Sequence, residues 1–234
     1  MLNPTLDSDY LATQYAADER LRIDEILEPD IAQRVHAACR DDVPYEYLCY
    51  VDGENLAIPA AELAQQTPDR QNELQEKIVS AASDGIGFFY SGYQMGRARD
   101  ENDKPQLAFL HEMFDFMNSD KMLAFIATIT GQTDLKGADA QFTRYSPGQF
   151  LTRHKDDITR EGRRIAYVMS FSEQWHPDWG GMLQFFEDDG TPRDAWTPGF
   201  NSLSIFDVRH VHSVTYVTPF ARTPRFSLTG WFIA

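Results

Sequence analysis

A histidine and an aspartate two residues apart, with a second histidine far along the chain, are the residues of this sequence best suited to bind a metal. His154 and Asp156 stand in FLTRHKDD at the end of a strand-like run, where residues i and i+2 share a face. His212 stands in RHVHSVTYV, on another strand-like run. Two imidazoles and one carboxylate are the ligands of a facial triad that binds non-haem Fe(II) and leaves positions open. We therefore predict an iron site formed by His154, Asp156 and a histidine of this second run.

Neighbouring residues offer alternatives for two of the three ligands. Asp157 follows Asp156 directly, but strand parity with His154 favours Asp156. His210 and His212 share a face, so parity alone leaves either imidazole as the second nitrogen ligand.

An arginine in the last strand-like run, RFSLTGWFIA, is expected to meet an anion. Alternation places Arg225, Ser227 and Thr229 on one face of that strand. An inward guanidinium is costly unless it is paired, and its planar fork suits a carboxylate. A buried Arg–Asp pair would satisfy it as well, and Arg222 is a competing arginine. Trp231 shares the face of Arg225, and we expect it to fill the core rather than to wall the site.

The elements that must position these residues fall into two parts, and together they predict a single catalytic domain over 1–234. Residues 1–136 are a helix-rich support that contributes strands, and residues 137–234 are a run of short strands. The support is predicted to contain a strand at 21–27, helices at 29–40, 68–82, 107–119 and 120–130, a hairpin at 46–59 and a strand at 87–95. Short strands separated by turn residues favour a sandwich or barrel, so the fold class is α+β, mainly β.

Several motifs stand together in the second part of the chain. They are H-x-D at 154–156, H-x-V at 212–214 and R-x-S-x-T-G-W at 225–231. Together they resemble the prolyl-hydroxylase type of 2-oxoglutarate/Fe(II)-dependent dioxygenase. W-x-x-x-W-G-G-x-L at 175–183 and P-x-F-N-S-L-x-I-F-x-V at 198–208 are similar to the ribosomal prolyl hydroxylase branch of that family.

The resemblance implies a double-stranded β-helix, a jelly roll whose mouth holds the metal. It implies Fe(II) bound by His154, Asp156 and His212, since the H-x-V pattern favours His212 over His210. 2-Oxoglutarate and dioxygen would be the cosubstrates, and ascorbate is a further expected cofactor.

The same resemblance implies roles for residues around the metal. Arg225 would bind the distal carboxylate of 2-oxoglutarate, and Tyr145 would donate a hydrogen bond to this cosubstrate. Ser227 and Thr229 would lie beside it on the strand of Arg225. Arg163 or Arg164 falls where the family has a basic residue beside the substrate entrance.

The implied activity is hydroxylation of a prolyl residue in a protein, such as a ribosomal protein or a translation factor, with release of succinate and CO2. Alternatives are a dioxygenase acting on a small molecule or a free amino acid, and a non-catalytic jelly-roll binding module. Segments 46–59 and 87–104 are expected to be either a lid over the substrate or plain connections.

Charge and cysteine content narrow the partners and the compartment. The net charge of −15 argues against nucleic acid as the main ligand and permits a basic protein or peptide as substrate. Cys39 and Cys49 form no CxxC motif, which favours a reducing compartment. The N-terminus lacks a signal pattern and no apolar run reaches the length of a membrane span, so we predict a cytoplasmic protein without a membrane partner.

Overall fold

One antiparallel sheet, rolled on itself and covered by helices on its outer face, organises the chain. The structure, a computed structural model, describes residues 1–96, 105–156 and 161–234. Ten strands follow the order β1-β11-β8-β13-β6-β4-β7-β12-β9-β10, while β2, β3 and β5 attach beside this path. This is the curled sheet of a double-stranded β-helix, as predicted.

The strands are β1 (Arg20–Asp24), β2 (Glu46–Val51), β3 (Glu54–Pro59), β4 (Phe88–Gln94), β5 (Gly137–Ala138), β6 (Gln141–Tyr145), β7 (Phe150–His154), β8 (Arg163–Phe171), β9 (Leu183–Phe186), β10 (Pro192–Trp196), β11 (Phe200–Asp207), β12 (Val211–Val214) and β13 (Arg225–Ile233). The helices in the described ranges are α1 (Ser8–Tyr15), α2 (Pro29–Asp41), α3 (Ala60–Gln65), α4 (Pro68–Ser83), α5 (Ala108–Met117) and α6 (Asp120–Thr130).

Helix ends follow the local signals of the sequence. Pro29 and Pro68 occupy the first turn of α2 and α4, where the missing N–H costs nothing. The Thr67 side chain accepts a hydrogen bond from the Arg70 backbone N–H and so caps α4. Gly131 ends α6 with φ of 74°, a left-handed conformation that favours glycine. The predicted helices at 29–40, 68–82 and 120–130 are therefore present.

The strands of the rolled sheet have two different faces. Along β11, Leu203 and Ile205 belong to a large apolar core that also contains residues of α2, α5 and α6. Ser202 and Ser204 alternate with them, and both are buried and polar. The helices therefore cover an apolar outer face, while the inner face carries polar side chains.

Ion pairs join the two strands at the ends of the sheet order. Arg20 of β1 contacts Asp194 of β10 at 2.6 Å, and it also pairs with Asp18. Arg193 of β10 contacts Asp18 at 2.9 Å. The Arg20 guanidinium is buried and lies 4.4 Å from the centre of the Phe185 ring. β1 and β10 are not joined by backbone hydrogen bonds, so these side chains connect the two ends of the rolled sheet.

One expectation about the first part of the chain needs correction, one strand of the second part had no signal in the sequence, and other expectations stay untested. Residues 88–94 do not form a lid, because β4 pairs with β2, β6 and β7 inside the sheet. β10 was missed because PRDAW lacks apolar alternation; it is an exposed edge strand, where proline is tolerated. The remainder of the expected lid, 97–104, lies outside the described residues. The division of 1–234 into a support and a β core stays a prediction.

Both cysteines are reduced and buried. Within the described ranges, no helix combines the length and apolar character that crossing a membrane requires.

Candidate active site

Two imidazoles and a carboxylate converge inside the rolled sheet. Asp156 Oδ1 lies 3.5 Å from His154 Nε2, and Asp156 Oδ2 lies 3.4 Å from His212 Nε2. The candidate ligand atoms of all three residues lie within 4.8 Å of one another, the one such group found among the described residues. Ligands about 2.1 Å from a shared ion are spaced by about 3 Å, so the cluster has nearly the spacing of a metal site.

A strand irregularity brings His154 to this cluster. β7 pairs with β12 at His212↔His154 and again at Val214↔Leu151, so three steps on β7 oppose two on β12. Such a bulge re-aims the side chains beyond it. Leu151 and His154 both reach the inner cavity, although strict alternation would put them on opposite faces.

Backbone carbonyls fix the orientation of both imidazoles. His154 Nδ1 donates to the Thr152 carbonyl at 2.9 Å, and His212 Nδ1 donates to the His210 carbonyl at 3.0 Å. A neutral imidazole that donates from Nδ1 has its lone pair on Nε2. Both lone pairs therefore face Asp156, as ligation of one ion requires.

The cluster is electrostatically prepared for a cation. Burial opposes the charge of Asp156, yet the adjacent imidazoles of His154 and His212 hold the pKa of Asp156 at about 2. Burial, with His154 alongside, lowers the pKa of His212 to about 4. Burial also disfavours charge on His154, but Asp156 outweighs it and raises the pKa of His154 above its ordinary value. At neutral pH the carboxylate is ionised and His212 is neutral, the forms that bind metals.

The structure places none of the described alternative residues in the metal cluster or beside the cosubstrate cavity. The ring of His210 packs edge-on to Phe185 and is absent from the cluster, although its carbonyl orients His212. Asp157 lies outside the described residues. Arg222 is exposed and is absent from the described lining of the cavity.

Arg225 is a buried cation without a partner. It is 2% exposed, and its Nε and Nη1 atoms have no hydrogen-bond acceptor among the described residues. Burial lowers the pKa of Arg225. Its guanidinium lies 5.3 Å from the centre of the Tyr145 ring. The alternative, an Arg–Asp pair, is not present among the described residues, so the arginine is free to bind an anion.

One cavity of about 90 Å³ connects the metal cluster with Arg225. A single water needs about 10–15 Å³, so the cavity has room for a small organic acid. Six of the residues predicted for the site line this cavity: His154, Asp156, His212, Arg225, Tyr145 and Thr229. Ser227 is fully buried between Arg225 and Thr229 on the same strand, and its hydroxyl has no described partner.

Two polar residues that complete the cavity, Tyr90 and Gln141, had no signal in the sequence. Tyr90 stacks on Tyr145 with ring centres 5.0 Å apart, and Gln141 is buried with its amide nitrogen unpaired among the described residues. Both lie on strands without a recognisable motif, where only the register of β4 and β6 brings them inside.

The opening of the cavity lies beside His154. The His154 side chain is 30% exposed, whereas those of Asp156 and His212 are 8% and 7% exposed. The Arg163 guanidinium stacks 3.4 Å above the Trp231 ring and lies close enough to influence the charge of His154. Arg163 also pairs with Glu161 at 2.6 Å, and Arg164, the next residue of β8, pairs with Asp134 at 3.1 Å. Trp231 lines the cavity and also packs against an apolar cluster, so it does more than fill the core.

The apolar wall of the cavity differs from expectation. The apolar residues of the strand-like runs around the triad predict a wall of Ile165, Val168, Leu183, Phe185, Leu203 and Ile205. Val168 and Leu183 line the cavity, joined by Ala166 and Phe206. Ile165, Leu203 and Ile205 face the helices instead. Alternation separates two faces of a strand but does not say which face turns inward.

Sequence comparison places this geometry in a family. Residues 140–233 match the 2OG-Fe(II) oxygenase superfamily. The match supports an oxygenase domain of this type over residues 140–233. Members use Fe(II), 2-oxoglutarate and O2, and the residues present fit both groups. Two inward Nε2 atoms and an ionised carboxylate suit Fe(II), and the unpaired fork of Arg225 suits a carboxylate of the cosubstrate.

Two curated relatives are prolyl 3-hydroxylases. The chain is 30% identical to the mouse prolyl 3-hydroxylase OGFOD1 over 116 residues, which cover 47% of this chain and 21% of the relative. It is 27% identical to the Xenopus laevis prolyl 3-hydroxylase OGFOD1 over 150 residues, covering 60% of this chain and 28% of the relative. The chain thus spans less than a third of the length of either relative.

Solved structures share the fold of the oxygenase domain and of its helical support. A Pseudomonas putida prolyl-4-hydroxylase aligns with a TM-score of 0.62 at 20% identity, over 97% of this chain and 98% of that chain. A prolyl hydroxylase from Trichoplax adhaerens, in complex with a hypoxia inducible factor oxygen degradation domain peptide fragment, aligns with a TM-score of 0.60 at 17% identity, over 97% and 88%. At these identities the likeness is one of fold.

Proposed function

We propose that this protein is a 2-oxoglutarate- and Fe(II)-dependent dioxygenase that hydroxylates a prolyl residue of a protein and releases succinate and CO2. The observation that carries the proposal is the single cavity shared by the His154–Asp156–His212 cluster and the unpaired Arg225. A metal site alone would fit many functions. A metal site with a buried guanidinium in the same cavity fits a chelating dicarboxylate.

In this proposal His154, Asp156 and His212 hold the iron, which supplies activation of O2 for attack on a C–H bond. The backbone carbonyls of Thr152 and His210 keep the two imidazoles in the ligating tautomer. Their role is positioning, because neither touches the metal.

Arg225 binds the distal carboxylate of 2-oxoglutarate, and the Tyr145 hydroxyl donates a second hydrogen bond to the cosubstrate. Burial raises the pKa of Tyr145 well above 10, so this phenol stays protonated and remains a donor. Ser227 and Thr229, on the strand of Arg225, are candidates for further contacts. Val168, Leu183 and Phe206 exclude water from the inner wall.

The substrate enters beside His154, where the cluster is most exposed. Arg163, stacked on Trp231, is the basic residue that we assign to the entrance. Arg163 and Arg164 both pair with an acid, so Arg163 is preferred because it stacks on Trp231 and influences the charge of His154. The prolyl hydroxylase relatives support a protein or peptide substrate, and the net charge of −15 favours a basic one through long-range attraction.

Succinate release measured with Fe(II), 2-oxoglutarate and a set of proline-containing peptides tests the proposal. We expect turnover that peptide stimulates, together with a 16-dalton gain on proline in the product. Asp156→Ala is the negative control, because it keeps the fold and removes a metal ligand. Turnover stimulated by free amino acids or other metabolites, and not by peptides, would support the small-molecule alternative. Failure to bind iron would leave the jelly-roll binding module.

A further inference from the structure

A second concavity, larger than the active-site cavity, lies on the outer side of the sheet. Its volume is about 840 Å³, and α2, the end of β6, the loop after β8 and the segment before β13 form its walls. We call it the arginine groove; its lining includes Arg40, Arg144, Arg222, Glu173, His176 and Trp179. It shares no lining residue with the described part of the active-site cavity.

Strand alternation separates the two sites. Arg144 and Phe226 line the groove, whereas their neighbours Tyr145 and Arg225 line the active-site cavity on the other side of β6 and β13. A ligand in the groove would therefore not contact the metal cluster or the cosubstrate.

The groove is locally basic in an acidic chain. Its described lining contains three arginines and a single acid, although the chain has 36 acidic and 21 basic residues. The acid, Glu173, faces α2, where Gln33 donates to it at 3.3 Å and His36 Nε2 lies 3.9 Å away. Arg40 is bound by its neighbour Asp41 at 2.6 Å. The other two guanidinium groups of the lining therefore have no ion pair among the described residues.

Arg222 and Arg144 are these two groups. Arg222 is exposed and forms no ion pair with any residue in the described ranges. Arg144 lies 4.6 Å from the centre of the Tyr45 ring and donates to Ser91 Oγ at 3.4 Å. Its Nε atom is buried and lacks an acceptor among the described residues. A guanidinium held in place by a ring, with a buried donor unused, is prepared for an anion.

The loop that forms one wall of the groove has an unusual backbone. Gln174 adopts φ of 49°, in the left-handed region that non-glycine residues seldom occupy. Such conformations cost free energy and tend to persist at binding sites. Trp179 lies five residues after Gln174 on the same loop. The centre of its ring is 6.4 Å from the centre of the His176 ring.

We propose that the arginine groove binds a phosphate-bearing small molecule, independently of the oxygenase reaction. Guanidinium forks match phosphate oxygens bidentately, which accounts for Arg144 and Arg222. A groove of this volume lies in the range of small-molecule sites, about 300–1,000 Å³, so the ligand carries an organic part as well as the phosphate. Trp179 and His176 are the surfaces available to that part.

Isothermal titration of the Fe(II)- and 2-oxoglutarate-loaded protein under anaerobic conditions tests this, with ADP as the probe. We expect one ADP per chain, with little binding of adenosine, which lacks the phosphates. Arg222→Gln and Arg144→Gln should each weaken ADP binding by about tenfold, since each removes a charge-assisted hydrogen-bonding group. Arg70→Gln, which removes an exposed arginine of α4, is the matched control and should leave binding unchanged.

Several outcomes would overturn the proposal. They are the absence of saturable ADP binding at about 1 mM, the weakest affinity of interest; equal binding of adenosine; and an equal loss with Arg70→Gln. Displacement of ADP by additional 2-oxoglutarate would place the anion at Arg225 instead. Binding of a short oligoribonucleotide but not of ADP would assign the groove to nucleic acid and reject a small-molecule ligand. Because Arg222 is exposed, its variant remains informative if Arg144→Gln fails to fold.

Discussion

The inner and outer faces of the same strands have opposite chemistry. On β13, Phe226, Leu228 and Phe232 face the helices and are at most 5% exposed. Arg225 and Ser227 alternate with them, are equally buried, and have polar atoms without partners. One face obeys the rule that buried groups are apolar or satisfied, and the other breaks it. The difference indicates that the outer face stabilises the fold and that the inner face is kept for a ligand.

The largest effect that this comparison predicts is on activity at the metal cluster. Asp156→Ala removes the carboxylate ligand, and we expect turnover to fall by at least about 1,000-fold, because metal-ion catalysis contributes several kcal/mol. Thermal unfolding of the metal-free protein should change little, since the variant also removes a buried charge. Succinate formation and calorimetry on one preparation measure both quantities. Wild-type turnover in the variant would remove Asp156 from the site.

The converse effect is expected on the outer face. Leu228→Ala opens a cavity in the helix-covered core, where Leu228 is 0% exposed, and should lower the free energy of unfolding by about 2–5 kcal/mol. Activity per folded molecule should stay within about twofold of wild type, because Leu228 faces away from the cavity. Urea unfolding measures the first quantity and turnover well below the transition midpoint measures the second. If activity fell and stability held, the assignment of the two faces would be reversed.

Arg225 sharpens the comparison, because it is a cation on the face kept for a ligand. Arg225→Gln should raise KM for 2-oxoglutarate by about 10- to 100-fold, the value of a charge-assisted bidentate contact. It should not destabilise the protein without cosubstrate, since the guanidinium has no described partner to lose. Steady-state kinetics with varied 2-oxoglutarate tests the first expectation, and Arg225→Lys, which keeps the charge without the fork, should give a smaller rise.

The smallest expected effect is at Ser227, the neighbour of Leu228. Ser227→Ala removes a buried hydroxyl that has no described partner, so the free energy of unfolding should change by less than about 0.5 kcal/mol or increase. A loss comparable to that of Leu228→Ala would mean that the inner face is as tightly constrained as the outer one. The pair of adjacent variants therefore measures the difference between the faces directly.

Motif spacing and helix signals predicted much of this arrangement. Prolines, caps and Gly131 located the helices, and alternation from Arg225 separated the two faces of β13 correctly. The bulge in β7 was not predictable, because it depends on how β7 pairs with β12 and not on its composition. Strict alternation would have been wrong between Leu151 and His154.

Residues that enter the cavity through pairing of distant strands also could not be predicted from the sequence. Tyr90 and Gln141 enter the cavity because β4 lies between β6 and β7, a pairing of strands far apart in sequence. Of the six residues predicted for the apolar wall, only Val168 and Leu183 line the cavity, for a related reason. A run such as RIAYVMSF is apolar on both faces, so its sequence does not distinguish the helix-covered face from the cavity face.

The ion pairs among Arg20, Asp18, Arg193 and Asp194 limit how far the protein can be truncated from its N-terminus. β1 pairs with β11 and so covers its hydrogen-bonding edge. It also supplies Arg20, which pairs with Asp194 of β10 and joins the two ends of the sheet. A fragment beginning at residue 137 would expose that edge and leave the acidic and basic side chains of β10 without counterparts. We expect such a fragment to self-associate through β11, because uncovered strands recruit neighbours. The first 24 residues, far from the metal cluster in sequence, thus cover a strand edge that the rolled sheet would otherwise expose.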